Sequence, residues 1–219
     1  MVGNKHVFWQ ALVFTIIIFV IGLIFGFFIE SYLAGQIEYS LAKSEINLLD
    51  EQVRIRAIGG FDIDCDKSKR GLFEFADRIY SEALKLEEQS SSSQFDKETF
   101  DLLHKRYDLL RTMLWVESNE IKELCGDNFH TLTYLYESET TNTGVRAKQL
   151  YFSRLLAEIK DEHPEDILLI PIAIDTGLSS LEMIIENYEI TDFPVVVING
   201  EIKVSEVVTK SEFEKIVFE

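Results

Sequence analysis

The feature that most constrains this chain is a run near its start, "VFWQALVFTIIIFVIGLIFGFFI", Val7 to Ile29, in which no side chain is charged. As a helix, these 23 residues reach roughly 34 Å at ~1.5 Å per residue, enough to cross a hydrocarbon core of ~30 Å. A cleaved signal peptide carries an apolar core of only ~7–15 residues and then a small-x-small site. This run is longer, and in the "SYLAGQ" that follows, Tyr32 stands where a small residue belongs. Residues 1–30 therefore read as an uncleaved transmembrane anchor, with residues 7–29 in the lipid bilayer and Trp9 as an interfacial aromatic. Orientation rests on Lys5 ahead of the run, against Glu30 and a strongly acidic remainder behind it. The positive-inside rule then places the short amino terminus in the cytoplasm and everything after residue 30 outside. Gly22-x-x-x-Gly26 has the small-residue spacing that lets membrane helices approach closely, which makes Gly22 and Gly26 a candidate helix contact.

The chain carries a net charge of −17, spread along its length. That charge argues against a nucleic-acid partner, which wants a basic face, and against a folded part lying on anionic lipid. The acidity reads as a solvated surface.

After the membrane the pattern stays helical. In residues 31–58, Leu33, Ile37, Leu41, Ser44 and Leu48 recur near every 3.5 positions, and Ile46, Leu49 and Val53 follow on a neighbouring face. This predicts a stalk that continues the membrane helix and ends at Gly59-Gly60. Residues 59–127 predict an antiparallel helical hairpin. Its first helix, Gly71 to Glu88, carries Leu72, Phe75, Ala76, Ile79, Ala83 and Leu86 on one stripe. A polar connector, Gln89 to Gln94, precedes a second helix capped by Asp96 and running to about Leu124. Phe100, Leu103, Tyr107, Leu110, Leu114, Ile121 and Leu124 mark its seam, broken at Glu117. The spacing is that of a coiled coil and serves either a structural spacer or a surface for protein partners or a homo-oligomer.

Residues 128–219 change character. The order is a strand at His130–Tyr136, a helix over Gly144–Glu162 with Ala147, Leu150, Tyr151, Leu155 and Ile159 on one side, and a strand at Ile167–Ile174. A short helix over Ser179–Tyr188, capped by Ser179 or Ser180, comes next. A hairpin of Val195–Ile198 and Glu201–Val204 turns at Asn199-Gly200, and a helix from Ser211 to Phe218 is capped by Ser211 with Glu214. The fold class is thus α/β, in the order β-α-β-α-β-β-α. The first two strands should be parallel, with a right-handed crossover. Pro171 makes the second strand an edge strand, because proline breaks a ladder from inside a sheet.

This order, with "TDFPVVVINGE" ahead of and through the hairpin, resembles the thioredoxin superfamily from about Thr131 to Phe218. The resemblance implies that the Phe193–Pro194 peptide bond is cis and faces the active-site loop. The whole arrangement also resembles small membrane-anchored thioredoxin-like proteins of prokaryotes, archaea especially. Family enzymes carry Cys-x-x-Cys where the first strand meets its helix, and the helix dipole lowers the first thiol's pKa. The best match here is Thr141-Asn142-Thr143-Gly144, without sulfur. Threonines at a helix start are caps more often than catalysts. The resemblance therefore implies a cis-proline domain that is non-catalytic, with no catalytic residue in this loop. The loop, together with Phe193 and Pro194, remains a candidate site for an extended peptide or an anion.

The two cysteines, Cys65 and Cys125, flank the hairpin helices, and an extracytoplasmic location allows them to form a structural disulfide at its base. By the predicted bounds the two arms differ by roughly 9 Å at ~1.5 Å per residue, so the "GGFDIDCD" segment must run past the helix end to close the ring. Free thiols, or a redox pair, are the alternatives. No cofactor is implied: there is no phosphate-binding glycine loop and no Gly-x-Ser-x-Gly. No metal site is implied either, because His6, His104, His130 and His163 are scattered without ligand spacing. Glu158, Asp161, Glu162, Glu165 and Asp166 around Pro164 read as solvated surface. Three functions remain: a membrane-anchored, non-catalytic module for binding, scaffolding or assembly at the cell surface; a thiol-disulfide exchange protein using Cys65 and Cys125; and a structural subunit of a larger envelope complex.

Overall fold

The computed structural model describes residues 4–58, 64–91, 97–126 and 129–218. The chain divides into two compact units, Met1–Ala57 and Ile58–Glu219.

The first unit is one helix, α1 (Asn4–Ile58). The apolar run and the predicted stalk are thus continuous, as expected where neither proline nor a glycine pair interrupts the pattern. Its segment Phe8–Ile29 is long and apolar enough to cross a membrane. The Thr15 hydroxyl donates to the Ala11 carbonyl at 2.9 Å. That internal bond satisfies a polar group that would be costly in hydrocarbon.

The second unit holds α2 (Cys65–Ser91), α3 (Lys97–Cys125), β1 (His130–Tyr136), α4 (Thr143–Glu162), β2 (Ile167–Ala173), α5 (Ser179–Asn187), β3 (Val195–Ile198), β4 (Ile202–Val204) and α6 (Lys210–Phe218). The sheet order is β2-β1-β3-β4. β1 and β2 run parallel, and β3 is antiparallel to both β1 and β4. β2 lies at the edge, as Pro171 requires; that residue pairs with Tyr134. The Phe193–Pro194 bond is cis.

Strand alternation assigns the two faces. Leu132, Tyr134, Val196, Ile198 and Val204 join Phe152, Leu155, Leu156 and Ile159 of α4, and Phe213 and Val217 of α6, in one core. The predicted α4 stripe was turned slightly: Phe152 and Leu156 are buried, whereas Ala147 is exposed and Leu150 is 54% exposed. Thr131, Thr133, Leu135, Leu168, Ile170, Ile172, Val195 and Val197 are buried on the other side. α3 packs against β1, β2 and α5, and α2 packs against α3 and β2.

The hairpin helices α2 and α3 therefore pack on the sheet rather than standing apart as a spacer. α3 is buried on two fronts, one toward α2 and one toward the sheet. This is why Asp108, Thr112, Trp115, Glu117, Ser118 and Lys122 are buried beside Tyr107, Leu110, Leu114 and Ile121. Glu117, expected to break the seam, is 0% exposed, and Leu124, expected within it, is 55% exposed. A two-helix heptad describes one front and misses the other. Phe73 of α2 meets Phe129, just ahead of β1, edge to face at 5.8 Å.

Several helix ends differ from the predicted ones. α2 starts at Cys65 rather than Gly71, because Asp64 caps it: the Lys67 amide donates to the Asp64 carboxylate at 3.2 Å. It also runs through Gln89 to Ser91. Asp96, expected to cap α3, lies outside the described residues, as do Gly59-Gly60 and Ser92 to Gln94 of the connector. α5 has no side-chain cap; Leu178 occupies the N-cap position in place of the serines. α6 begins one residue earlier than expected, with the capping box at Thr209 and Glu212: the Thr209 amide and hydroxyl donate to Glu212 Oε2 at 2.9 and 2.7 Å. Both Thr209-x-x-Glu212 and Ser211-x-x-Glu214 satisfy the same pattern, and the first is used.

Candidate functional site

The candidate loop Thr141-Asn142-Thr143-Gly144 lies at the junction of β1 and α4. Asn142 is the N-cap of α4, and its Oδ1 accepts from the Gly144 and Val145 amides at 2.9 and 3.3 Å. The Arg146 amide donates to the Asn142 carbonyl at 3.0 Å. The cap is thus Asn142 rather than either threonine. Two of the donors that an anion at this helix start would use, the Gly144 and Val145 amides, are held by the chain itself. Thr141, Thr143 and Gly144 are exposed.

The loop leading into this cap is fixed from outside. Asp175, just past β2, accepts from the Ser138 amide and hydroxyl at 2.9 and 2.8 Å, and from the Glu139 amide at 2.9 Å. Partial burial works to raise the Asp175 pKa, but these hydrogen bonds override it and hold the carboxyl below its ordinary value. From the helix side, Gln149 Nε2 donates to the Glu137 carbonyl at 2.8 Å, and the Tyr134 hydroxyl donates to the Gln149 carbonyl at 3.1 Å. Burial pushes the Tyr134 phenol up to about 12, so it stays protonated at neutral pH and serves as a donor. Phe193 is half-buried and Pro194 buried. Among the described residues, no hydrogen bond joins Thr141, Asn142, Thr143 or Gly144 to Phe193 or Pro194.

An open cleft of about 500 Å³ lies elsewhere, along α4 and the edge strand, lined by Tyr134, Tyr136, Arg146, Leu150, Leu169 and Pro171 among others. A second, of about 480 Å³, lies between α3 and α5 over Trp115, Met183 and Tyr188. The first cleft is also lined by Ser138, whose hydroxyl is the one held by Asp175 Oδ1 at 2.8 Å.

Cys65 and Cys125 stand at disulfide distance, Sγ to Sγ 1.97 Å with Cα atoms 5.6 Å apart. The expected overhang of "GGFDIDCD" is not needed: α2 and α3 contain 27 and 29 residues, so the first turn of one meets the last turn of the other. Neither cysteine falls in the β1–α4 junction, residues 137–143.

One group of ligand-type side chains escaped the sequence reading. Glu162, His163 and Glu214 bring one ligand atom each within 4.8 Å of one another. A cation is already present beside them: Lys210 Nζ lies 2.6 Å from Glu162, 2.9 Å from Glu158 and 3.8 Å from Glu214. Hydrogen bonds to Glu162 and Glu158 raise the Lys210 pKa. His163 also packs its ring on Phe218 at 4.8 Å. Spacing along the chain could not have shown this group, because α6 supplies Glu214.

Two polar latches were likewise invisible in the sequence. Asn199 was expected only as a turn residue. It does adopt a left-handed φ of 53°, but its Oδ1 also accepts from Lys122 Nζ at 2.7 Å and from the Thr131 amide at 3.0 Å. Asp108, inside α3, accepts from Arg111 Nη1 and from the Ala173 amide, each at 3.2 Å.

No protein-family model matches this chain, and no curated protein matches it.

Proposed function

We propose that the chain is a single-pass membrane protein whose folded unit, displayed outside the cytoplasm, acts in binding, scaffolding or assembly at the cell surface and carries out no thiol chemistry. The observation that carries this reading is the β1–α4 junction, where Asn142 holds the first amides of α4 and no thiol is present. The strand order β2-β1-β3-β4 and the cis Phe193–Pro194 bond ahead of β3 support a thioredoxin-like frame around that junction. The apolar Phe8–Ile29 segment supports the anchor, and the lysine ahead of it supports the orientation. The outward-facing amides of edge strand β2 are largely occupied, which favours recognition through side chains over strand addition: the Ile167 amide donates to the His163 carbonyl, position 171 is proline, and the Ala173 amide donates to Asp108.

The test is insulin reduction by dithiothreitol in the presence of the solubilised full-length protein. The reading predicts no acceleration over dithiothreitol alone. Turnover comparable to a thioredoxin would overturn it, and loss of that turnover in Cys65→Ser would assign the chemistry to the hairpin cysteines.

A further inference from the structure

We propose that the cleft along α4 and β2 binds a free apolar α-amino acid, held as its zwitterion. The proposal stands on the unit Ile58–Glu219 alone and goes beyond the reading above; it depends neither on the anchor nor on its orientation.

The cleft holds about 500 Å³, within the range of small-molecule sites. Its helical wall follows from spacing: Arg146, Gln149, Leu150, Ser153 and Leu156 fall on one face of α4, and all five line it. On the strand side, Leu169 and Pro171 share a sheet face with Tyr134, which pairs with Pro171, and with Tyr136. The two tyrosine rings stack at 5.3 Å. No strand lies beyond β2. Leu169 and Pro171 therefore stay partly exposed, and Leu150 is 54% exposed. These side chains offer an apolar body a place to leave water.

One end of the cleft carries both signs of charge. Glu137 and Arg146 line it together. Gln149, on the same face of α4 and one turn past Arg146, donates from Nε2 to the Glu137 carbonyl at 2.8 Å, which brings the two residues to the same end. Acidic residues outnumber Lys and Arg by 38 to 21. Even so, among the described residues neither Arg146 nor Glu137 makes an ion pair, with the other or with a third group. The Ser138 hydroxyl donates to Asp175, which leaves its oxygen able to accept. The ligand class follows from this charge pattern. A carboxylate alone would meet Glu137, and an amine alone would meet Arg146. An α-amino acid carries both charges on one carbon. Its carboxylate suits the forked guanidinium, its ammonium suits the Glu137 carboxylate and the Ser138 oxygen, and its side chain suits the apolar part of the cleft. A residue joined in a peptide at either end lacks one of the two charges.

The test is isothermal titration of the solubilised full-length protein with L-phenylalanine, glycine, N-acetyl-L-phenylalanine and L-phenylalaninamide. L-Phenylalanine should bind. Glycine, which lacks the apolar body, and the two derivatives, which each lack one charge, should bind about tenfold more weakly or worse. Arg146→Gln and Glu137→Gln should each weaken phenylalanine binding to the same degree. No binding of L-phenylalanine at millimolar concentration, or equal binding of glycine, overturns the site. Equal binding of the acetylated acid would make it a carboxylate site and equal binding of the amide a cation site; either overturns the zwitterion. Phenylalanine bound with unchanged affinity by both variants would place it outside this cleft and overturn the assignment.

Discussion

Opening the bond between Cys65 and Cys125 should cost stability without abolishing the fold. The two residues are separated by 60 positions. The chain-entropy estimate for closing a loop of that size is about 4 kcal/mol. Other contacts hold the same corner: Phe73 against Phe129, and Lys122 of α3 hydrogen-bonded to Asn199. Leu72, Phe75 and Ile79 of α2 also stay buried. The unit Ile58–Glu219 should therefore remain folded in Cys125→Ser. A fold of this size loses roughly 2–4 °C of Tm per kcal/mol, so the loss is about 8–16 °C. Thermal melts followed by far-UV circular dichroism, with and without reductant, measure it. Under oxidising conditions the variant should melt lower by that amount, and with reductant the wild type should fall to meet it. Coincident oxidised melts would refute the clamp. An equal gap with reductant present would show that serine disturbs packing and that loop closure contributes nothing.

Asp108→Ala leaves the Ala173 amide at the sheet edge without its acceptor and should lower unfolding free energy by ~1–3 kcal/mol in denaturant titrations; no change would remove Asp108 as the edge's plug. Burial, against the opposing pull of Arg111 and the Ala173 amide, raises the Asp108 pKa. The folded state thus holds this proton more tightly, and wild type should gain stability relative to Asp108→Asn as pH falls toward ~4. Asp175 is shifted the other way, so the gap for Asp175→Asn should be full at neutral pH and shrink below pH ~4; amide exchange at Ser138 and Glu139 should speed up in that variant. Gly200 has φ +73°, and a Cβ there would lie 3.1 Å from Asn119 Oδ1 and 3.2 Å from the Tyr188 hydroxyl. Gly200→Ala should therefore destabilise by at least ~1 kcal/mol, and a neutral result would refute the close approach.

Local signals proved readable where one residue type decides the matter. The uncharged run fixed the apolar helix, Pro171 put β2 at the edge, and Asn199-Gly200 made the hairpin turn. Helix starts were less legible, because several polar residues compete for each cap: Asp64 lengthened α2, and Thr209 displaced Ser211. What could not be read was anything joining distant parts of the chain. The double burial of α3 hid Glu117 inside a seam that seemed broken there. Asp175 is tied to Ser138 across 37 positions and Asn199 to Lys122 across 77, and no spacing rule reaches so far. At the candidate site, the absence of sulfur from Thr141-Asn142-Thr143-Gly144 was plain, but Asn142's occupation of the helix amides needed coordinates.

The most direct test of the account is thiol alkylation followed by intact mass, on protein taken from membranes without reductant. A membrane-anchored unit displayed outside the cytoplasm and clamped at its hairpin should leave both cysteines unlabelled until reduced and denatured, with the native mass two hydrogens below that of the reduced chain. Free labelling of both cysteines would contradict the clamp and the orientation together, and would return a reactive thiol to the account.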